Sequence, residues 1–167
     1  MSLLARLTAS GSQFLNERGI YLGWRSTRLH VALYRRTGGR IGGHLPGWPD
    51  VPIMLLDHRG ARSGARRTSP LMFQREGDSI VVAASKAGQA TNPAWFHNLV
   101  AHPETTIQIG PEVRPVLARV ATDEERGRLW SRFVLAYPGY EFYRRHAGRR
   151  RIPIVILDPH QPGFSSA

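Results

Sequence analysis

The chain is predicted to be a mainly β protein of the α+β class, an antiparallel barrel of about six strands with flanking helices. Two observations carry this. Six short apolar segments follow one another mostly as hairpins, separated by Gly-, Asp- and Pro-bearing turns. Helical periodicity is confined to the start, the middle and the region before the last strand, so the alternation of a parallel βαβ fold is missing. No internal repeat is evident.

The elements follow in order. In residues 2–17, Leu3, Leu4, Leu7, Phe14 and Leu15 fall near one helical stripe with Arg6 and Arg18 off it, which predicts a short amphipathic helix. Such a stripe can face a core, lie on a membrane surface or line a lipophilic entrance. A second helix is expected from Ser26 to Arg36, carrying Leu29, Val31, Leu33 and Tyr34 and stopped by Gly38-Gly39. After a Gly- and Pro-rich run from Gly42 to Pro52 come strands Ile53–Asp57, Thr68–Arg75 and, past the Glu76-Gly77-Asp78 turn, Ser79–Ala84. Asn92-Pro93 reads as the N-cap and first residue of a short helix. Strands Thr105–Ile109 and Val113–Ala121 meet at Gly110-Pro111-Glu112. Thr122-Asp-Glu-Glu125 is a capping box, opening a helix with Leu129, Trp130, Phe133, Val134 and Tyr137 on one side. Tyr137-Pro138 ends or kinks it, a short helix carries Tyr140 and Tyr143, and Ile152–Leu157 closes the chain as an apolar strand.

Composition narrows the chemistry. With 167 residues and 41% hydrophobic content the chain fits a single domain with a real core. It has no cysteine, which removes disulfides, thiolate metal sites and cysteine nucleophiles. The seven histidines form no HExxH or close ligand pair, so no metal site is expected. Gly38–Gly43 lacks the strand-turn-helix setting of a dinucleotide loop, Ser63 lacks a nucleophile elbow, and there is no P-loop. No apolar run approaches the roughly 20 residues of a membrane span, and the expected location is cytoplasmic, with membrane association through the N-terminal helix as the alternative. The net charge of +11 implies acidic partners, yet no nucleic-acid-binding motif accompanies it, so no nucleic-acid partner is expected.

Four clusters stand out. Arg62 and Arg67 flank a Gly-bearing turn, where two guanidinium groups could meet one anion with Ser63, Thr68 and Ser69 adding hydroxyls. One strand later, Ser85 and Lys86 precede Ala87-Gly88, and Lys86 is the only lysine in an otherwise Arg-based chain. Trp95 and Asn98 share a helix face, where Trp95 packs on a flat ring or sits in the core. Tyr137, Tyr140 and Tyr143 recur at intervals of three, a pocket wall of phenols or half-buried packing. Two anion-friendly turns at one end of a sheet make a groove, which either binds an organic cofactor or is an ordinary exposed hairpin with basic residues.

In these residues the chain resembles the deazaflavin-dependent nitroreductase family, split-barrel oxidoreductases of the FMN-binding type that use coenzyme F420 in actinobacteria. The resemblance covers Leu29 to Pro159 and rests on Gly60-x-Arg62-Ser-Gly64-x-x-Arg67-x-x-Pro70-Leu71, Ala83-Ala-Ser-Lys86-x-Gly88, Asn92-Pro-x-Trp95-x-x-Asn98-Leu99, Thr122-Asp-Glu-Glu-Arg126 and Tyr137-Pro-x-Tyr140. It implies cofactor contacts at Arg62, Ser63, Arg67, Thr68, Ser69, Met72, Ala83, Ala84, Ser85, Lys86, Ala94, Trp95, Asn98 and Tyr140. It implies a substrate wall of Met72, Tyr137, Tyr140 and Tyr143, with Tyr140 leading and Tyr137 and Ser85 supporting in catalysis. On this reading residues 1–40 pack on the barrel or cover the substrate entrance, and residues 41–167 hold the cofactor. Reduced F420 would reduce a small lipophilic acceptor such as a quinone, enone or nitroaromatic. The chain departs from the family in Asp57 and His58, commonly threonines, in Ala61, commonly arginine, and in Met72, tyrosine in some nitro-reducing members. An FMN-dependent split-barrel oxidoreductase and a non-catalytic carrier of a lipophilic or flavin-like ligand are the alternatives, and a homodimer is a natural arrangement for such barrels.

Overall fold

The structure, a computed structural model, describes residues 24–160. The amphipathic stripe of residues 2–17 lies outside the described residues.

The longest strand is β2 (Trp48–Arg59), entered through a tight hairpin from β1 (His44–Leu45) at Gly47, whose φ of 80° is a left-handed turn geometry that favours glycine. It therefore starts earlier than the expected Ile53. Leu55 and Leu56 pair both with Pro70 and Ser69 of β3 (Arg66–Met72) and with Gln108 and Ile107 of β6 (Glu104–Ile109), so these neighbours occupy opposite edges of β2. From β6 the sheet continues through β7 (Glu112–Val120), β8 (Ile154–Pro159) and β5 (Ser79–Ala83) to β4 (Gln74–Glu76), every pairing antiparallel. Only Phe73 separates β3 from β4. The stretch read from sequence as one strand is thus bent at Phe73, each half pairing a different margin of the curled sheet. With β1 and this division the described residues contain eight strands rather than about six.

Both faces of the β5–β8 pair are buried, which is why Ile152–Leu157 is continuously apolar rather than alternating. Ile80, Val82, Val155 and Leu157 point into an inner core with Met54, Leu56, Phe73, Ile107 and Val116. Trp95 and Leu99 of the helix α2 (Ala94–Ala101) pack into that core. Val81, Ala83, Ile154 and Ile156 face a second core made with α3 (Asp123–Ala136) and α4 (Gly139–His146). Each large aliphatic side chain so enclosed contributes about 1.5–3 kcal/mol.

The first described helix, α1 (Trp24–Thr37), is held on the β2–β3 hairpin by Tyr34 and Arg35. The Tyr34 hydroxyl donates to the Ile53 carbonyl (3.0 Å) and accepts from Gly110 N–H (3.0 Å). Arg35 donates to Asp57 (2.7 Å) and Thr68 (3.2 Å). Gly38 and Gly39 end α1 with positive φ, as expected. The capping box of α3 is also present, with Thr122 accepting from Glu125 N–H and Glu125 accepting from Thr122 N–H. The cap of α2 differs from the expectation. Pro93 is the N-cap, and the Asn92 side chain instead accepts a hydrogen bond from Arg150 (2.8 Å).

Candidate active site

The β2–β3 hairpin closes through Gly60 N–H to the Ala65 carbonyl (2.9 Å) and Gly64 N–H to the Gly60 carbonyl (2.8 Å). Its register sets which side chains meet. Leu56 opposes Ser69 and His58 opposes Arg67, so these four share the inner face. Asp57 opposes Thr68 on the outer face, where the Thr68 hydroxyl donates to Asp57 (2.5 Å). The structure therefore brings Arg67 and Ser69 together and turns the Thr68 hydroxyl away from them. Arg59, Arg62, Arg66 and Arg67 are exposed around this hairpin, and none forms an ion pair among the described residues. Four guanidinium groups in so small a region repel one another unless an anion bridges them.

A chain of hydrogen bonds runs beneath the hairpin. Ala61 N–H donates to Asn98 Oδ1 (2.8 Å), Asn98 Nδ2 lies 2.8 Å from His58 Nδ1, and His58 Nε2 lies 3.0 Å from Ser69 Oγ. Burial, followed by the positive charge of Arg67 and opposed by Asp57, lowers the His58 pKa to about 4, so the ring is neutral at pH 7.

The segment after β5 has unusual backbone. Lys86 and Ala87 both have φ of 50° and Gly88 has 79°, three left-handed residues in succession. For two of them a side chain makes this conformation costly, and such strain persists only where surroundings impose it. Arg150 supplies the restraint, donating to the carbonyls of Ala84 (3.0 Å), Ser85 (2.7 Å) and Gln89 (2.9 Å) besides Asn92. From the other side α4 presses close: a Cβ on Gly88 would lie 2.9 Å from the Tyr143 carbonyl oxygen. Lys86 Nζ donates to Thr91 (2.8 Å) and reaches no carboxylate among the described residues.

The tyrosines are not on one continuous helix. Tyr137 caps the C-terminus of α3, Pro138 begins the next turn, and Tyr140 and Tyr143 belong to α4. All three are nevertheless buried and pack together, with ring centroids 5.6–6.3 Å apart. Tyr137 and Tyr140 line a cavity of about 400 Å³ whose other walls include Met72, Phe73, Phe133 and Pro52. Neither hydroxyl has a hydrogen-bond partner among the described residues. Burial, and then the neighbouring Tyr137, raise the Tyr140 pKa well above the usual phenol value, so it keeps its proton throughout the physiological range.

Of the residues singled out in the sequence, Arg62, Ser63, Arg67, Ser69 and Asn98 are gathered at the hairpin, and Met72, Tyr137 and Tyr140 at the cavity. Trp95 belongs to the inner core, the second of the roles left open for it. Ala83 and Ala84 are buried at the end of β5, Ser85 follows them directly, and Ala94 is exposed at the start of α2. Two residues that organise this region, His58 and Arg150, were not read from the sequence as site residues. His58 continues the inward alternation of Met54 and Leu56, a signal that would have marked it as buried. Arg150 lies in Arg149-Arg-Arg151, where nothing local separates it from its neighbours.

A curled antiparallel barrel with helices packed on the outer face of its last strands is the architecture of the split-barrel oxidoreductases. A solved F420-H2 dependent reductase, FDR-A, is 38% identical and superposes with a TM-score of 0.59 over 64% of this chain and 94% of its own. The chain belongs to the F420H(2)-dependent quinone reductase family, whose model matches residues 26–159. An F420H(2)-dependent quinone reductase of Mycobacterium tuberculosis is 38% identical over 141 residues, covering 82% of this chain and 92% of its own. A second M. tuberculosis relative bearing the family name is 44% identical over 109 residues, 65% of this chain and 91% of its own.

Proposed function

We propose that the protein transfers two electrons from reduced F420 to a quinone, with the hairpin and the Lys86 turn holding the cofactor and the tyrosine wall holding the acceptor. The observation that carries this is the pairing of an arginine hairpin without carboxylate partners among the described residues with a largely apolar cavity lined by the buried phenols of Tyr137 and Tyr140. F420 bears a phosphate and an oligoglutamate tail, and Arg62, Arg67 and Lys86 suit those anions, with Ser63 and Ser69 as hydroxyl donors. When bound, the reduced deazaflavin supplies a hydride. Everything else falls to the chain.

Met72, Phe133 and Tyr137 offer a largely apolar wall in a cavity of a size that takes a fused-ring quinone. Tyr140 donates a hydrogen bond to the quinone oxygen on which negative charge develops, and passes its proton there as the hydroquinone forms. The neutral hydroquinone takes up one hydride and one proton: the proton comes from Tyr140, and a proton from solvent then restores the phenol. Tyr137 packs edge-on against Tyr140 and holds its ring angle. Ser85 stands at the junction between strand β5 and the Lys86 turn, where it can meet both ligands.

Among the described residues no helix is long and apolar enough to cross a membrane. Self-association is part of the same reading, supported by the exposed Val113 and Leu117 on one face of β7. The catalytic assignment is tested with Tyr140→Phe. Menadione reduction should fall about 10²-fold or more while F420 affinity, followed by fluorescence, stays unchanged. Full turnover in that variant removes Tyr140 as proton donor.

A further inference from the structure

We propose that His58 is a positioning residue that turns the Ser69 hydroxyl into an obligatory hydrogen-bond donor toward an acceptor oxygen of the cofactor. This rests on the F420 reading above for the acceptor, but the polarity follows from the protein's own atoms.

The argument starts at a backbone amide. Ala61 N–H can only donate, so the Asn98 atom 2.8 Å from it is the carbonyl oxygen, and the amide orientation is fixed. Asn98 Nδ2 then faces His58 Nδ1 at 2.8 Å and donates to it. Nδ1 therefore carries no proton, and the neutral ring carries its proton on Nε2. Nε2–H donates to Ser69 Oγ at 3.0 Å. Having accepted from the imidazole, Ser69 finds no acceptor for its own hydrogen among the described residues. The serine is half-buried on the same face as Arg67, open to a ligand resting on the hairpin.

Water does not substitute within this chain, because His58 and Asn98 are each only 6% exposed. A protonated ring does not fit either. Nδ1–H would meet the Asn98 amino group, and flipping the amide would set that amino group against Ala61 N–H. The charges facing the ring are Arg67 across the ladder, which opposes protonation, and Asp57 beside it in the chain, which favours it. The α2 helix contributes the uncharged Asn98. A lone buried histidine could merely fill space, but two polar partners on opposite ring nitrogens, in turn joined to a turn amide and a groove hydroxyl, make a directed relay.

The first test needs no cofactor. Long-range ¹H–¹⁵N correlations of the histidine-labelled protein, with His58 assigned by its loss in His58→Gln, should show an Nε2–H tautomer that stays neutral to about pH 4. An Nδ1–H tautomer, or titration at an ordinary histidine pH, overturns the proposal. The second test measures F420 affinity. Ser69→Ala should weaken binding about tenfold by removing the donor. Asn98→Asp should do the same by reversing polarity: a carboxylate accepts from both neighbours, draws the ring proton to Nδ1, and leaves Nε2 to take the serine hydrogen. In the double variant the losses should not add, since both remove one bond. Full additivity would assign the Asn98→Asp effect to simple charge repulsion and overturn the relay, as would unchanged affinity in Ser69→Ala. If the unmodified protein does not bind F420 at all, the acceptor named here falls together with the functional reading, while the NMR tautomer still decides the role of His58.

Discussion

Gly139 is where a single methyl group would most directly test the tyrosine wall. A Cβ built there would lie 2.2 Å from Cε1, 2.5 Å from Cζ and 2.8 Å from Oη of Tyr137. Carbon atoms rest at about 3.5–4.0 Å, so the overlap exceeds an ångström and the ring must move. Tyr137 is 1% exposed and is hemmed in by Trp48 (5.1 Å between centroids), Tyr140 (6.0 Å) and Tyr143 (6.3 Å), which leaves the cavity as the direction of retreat. Such overpacking costs about 1–3 kcal/mol. Gly139 opens α4, where alanine returns up to about 1 kcal/mol of helix propensity. The net loss of about 1–2 kcal/mol corresponds to a Tm lower by about 2–8 °C. The functional effect should be larger, because the displaced phenol enters the space assigned to the acceptor. Calorimetry, F420 fluorescence titration and menadione kinetics on Gly139→Ala should show a modest Tm loss, unchanged cofactor affinity and kcat/KM down about 10²-fold. Wild-type kcat/KM would show that the Tyr137 ring does not shape the acceptor site, and parallel loss of F420 affinity would place that ring in the cofactor site instead.

Arg150→Lys should fail to replace the guanidinium, since one ammonium cannot reach four acceptors in a fixed fork. Unfolding should show a loss of about 2–4 kcal/mol, and hydrogen exchange should show the 84–92 segment opening locally. Stability should rise between pH 4 and pH 6.5 through His58. Its folded pKa of about 4 lies below the unfolded value, so as pH falls through this window the unfolded chain takes up a proton that the folded chain refuses. The full change is on the order of 3 kcal/mol, and denaturant titrations at pH 4.5 and 7 on His58→Gln should show a flattened dependence. Thr122→Ala removes the α3 cap and should cost about 1 kcal/mol, read as a Tm lower by about 2–4 °C with F420 binding unaffected.

The strands, the capping box and the α3 to α4 break were legible because each depends on neighbours in sequence: turn residues, an i to i+3 cap, a proline after Tyr137. What escaped depends on distant partners. Phe73 divides a stretch that reads as one strand because its two halves answer to margins of the sheet far apart in the chain, β2 and β5. Asn92 is as good an N-cap as any by composition, yet Arg150, which follows 58 residues later, takes its side chain. Thr68 stands in the cationic cluster by sequence, and one residue of strand alternation sends its hydroxyl to Asp57 on the other face. The cofactor-facing residues were therefore readable as a neighbourhood but not as directions.

The distribution of charge gives that neighbourhood its character. Around α3 and α4 most carboxylates are taken up: Glu125 and Asp158 by Arg119, Glu76 by Arg128 and Arg132, Glu141 by Arg144 and Arg145, and Asp123 by Arg151. On the outer face of the hairpin Asp57 is engaged by Arg35. None of these acids is left to neutralise Arg59, Arg62, Arg66 or Arg67. Four arginines without a carboxylate partner among the described residues are thus gathered on one hairpin, and their field draws an anion toward it over roughly a Debye length, about 8 Å at physiological ionic strength. Screened pairs elsewhere contribute little to stability individually. Their larger consequence is that none of those acids compensates the hairpin, beside the buried relay that fixes which way Ser69 donates.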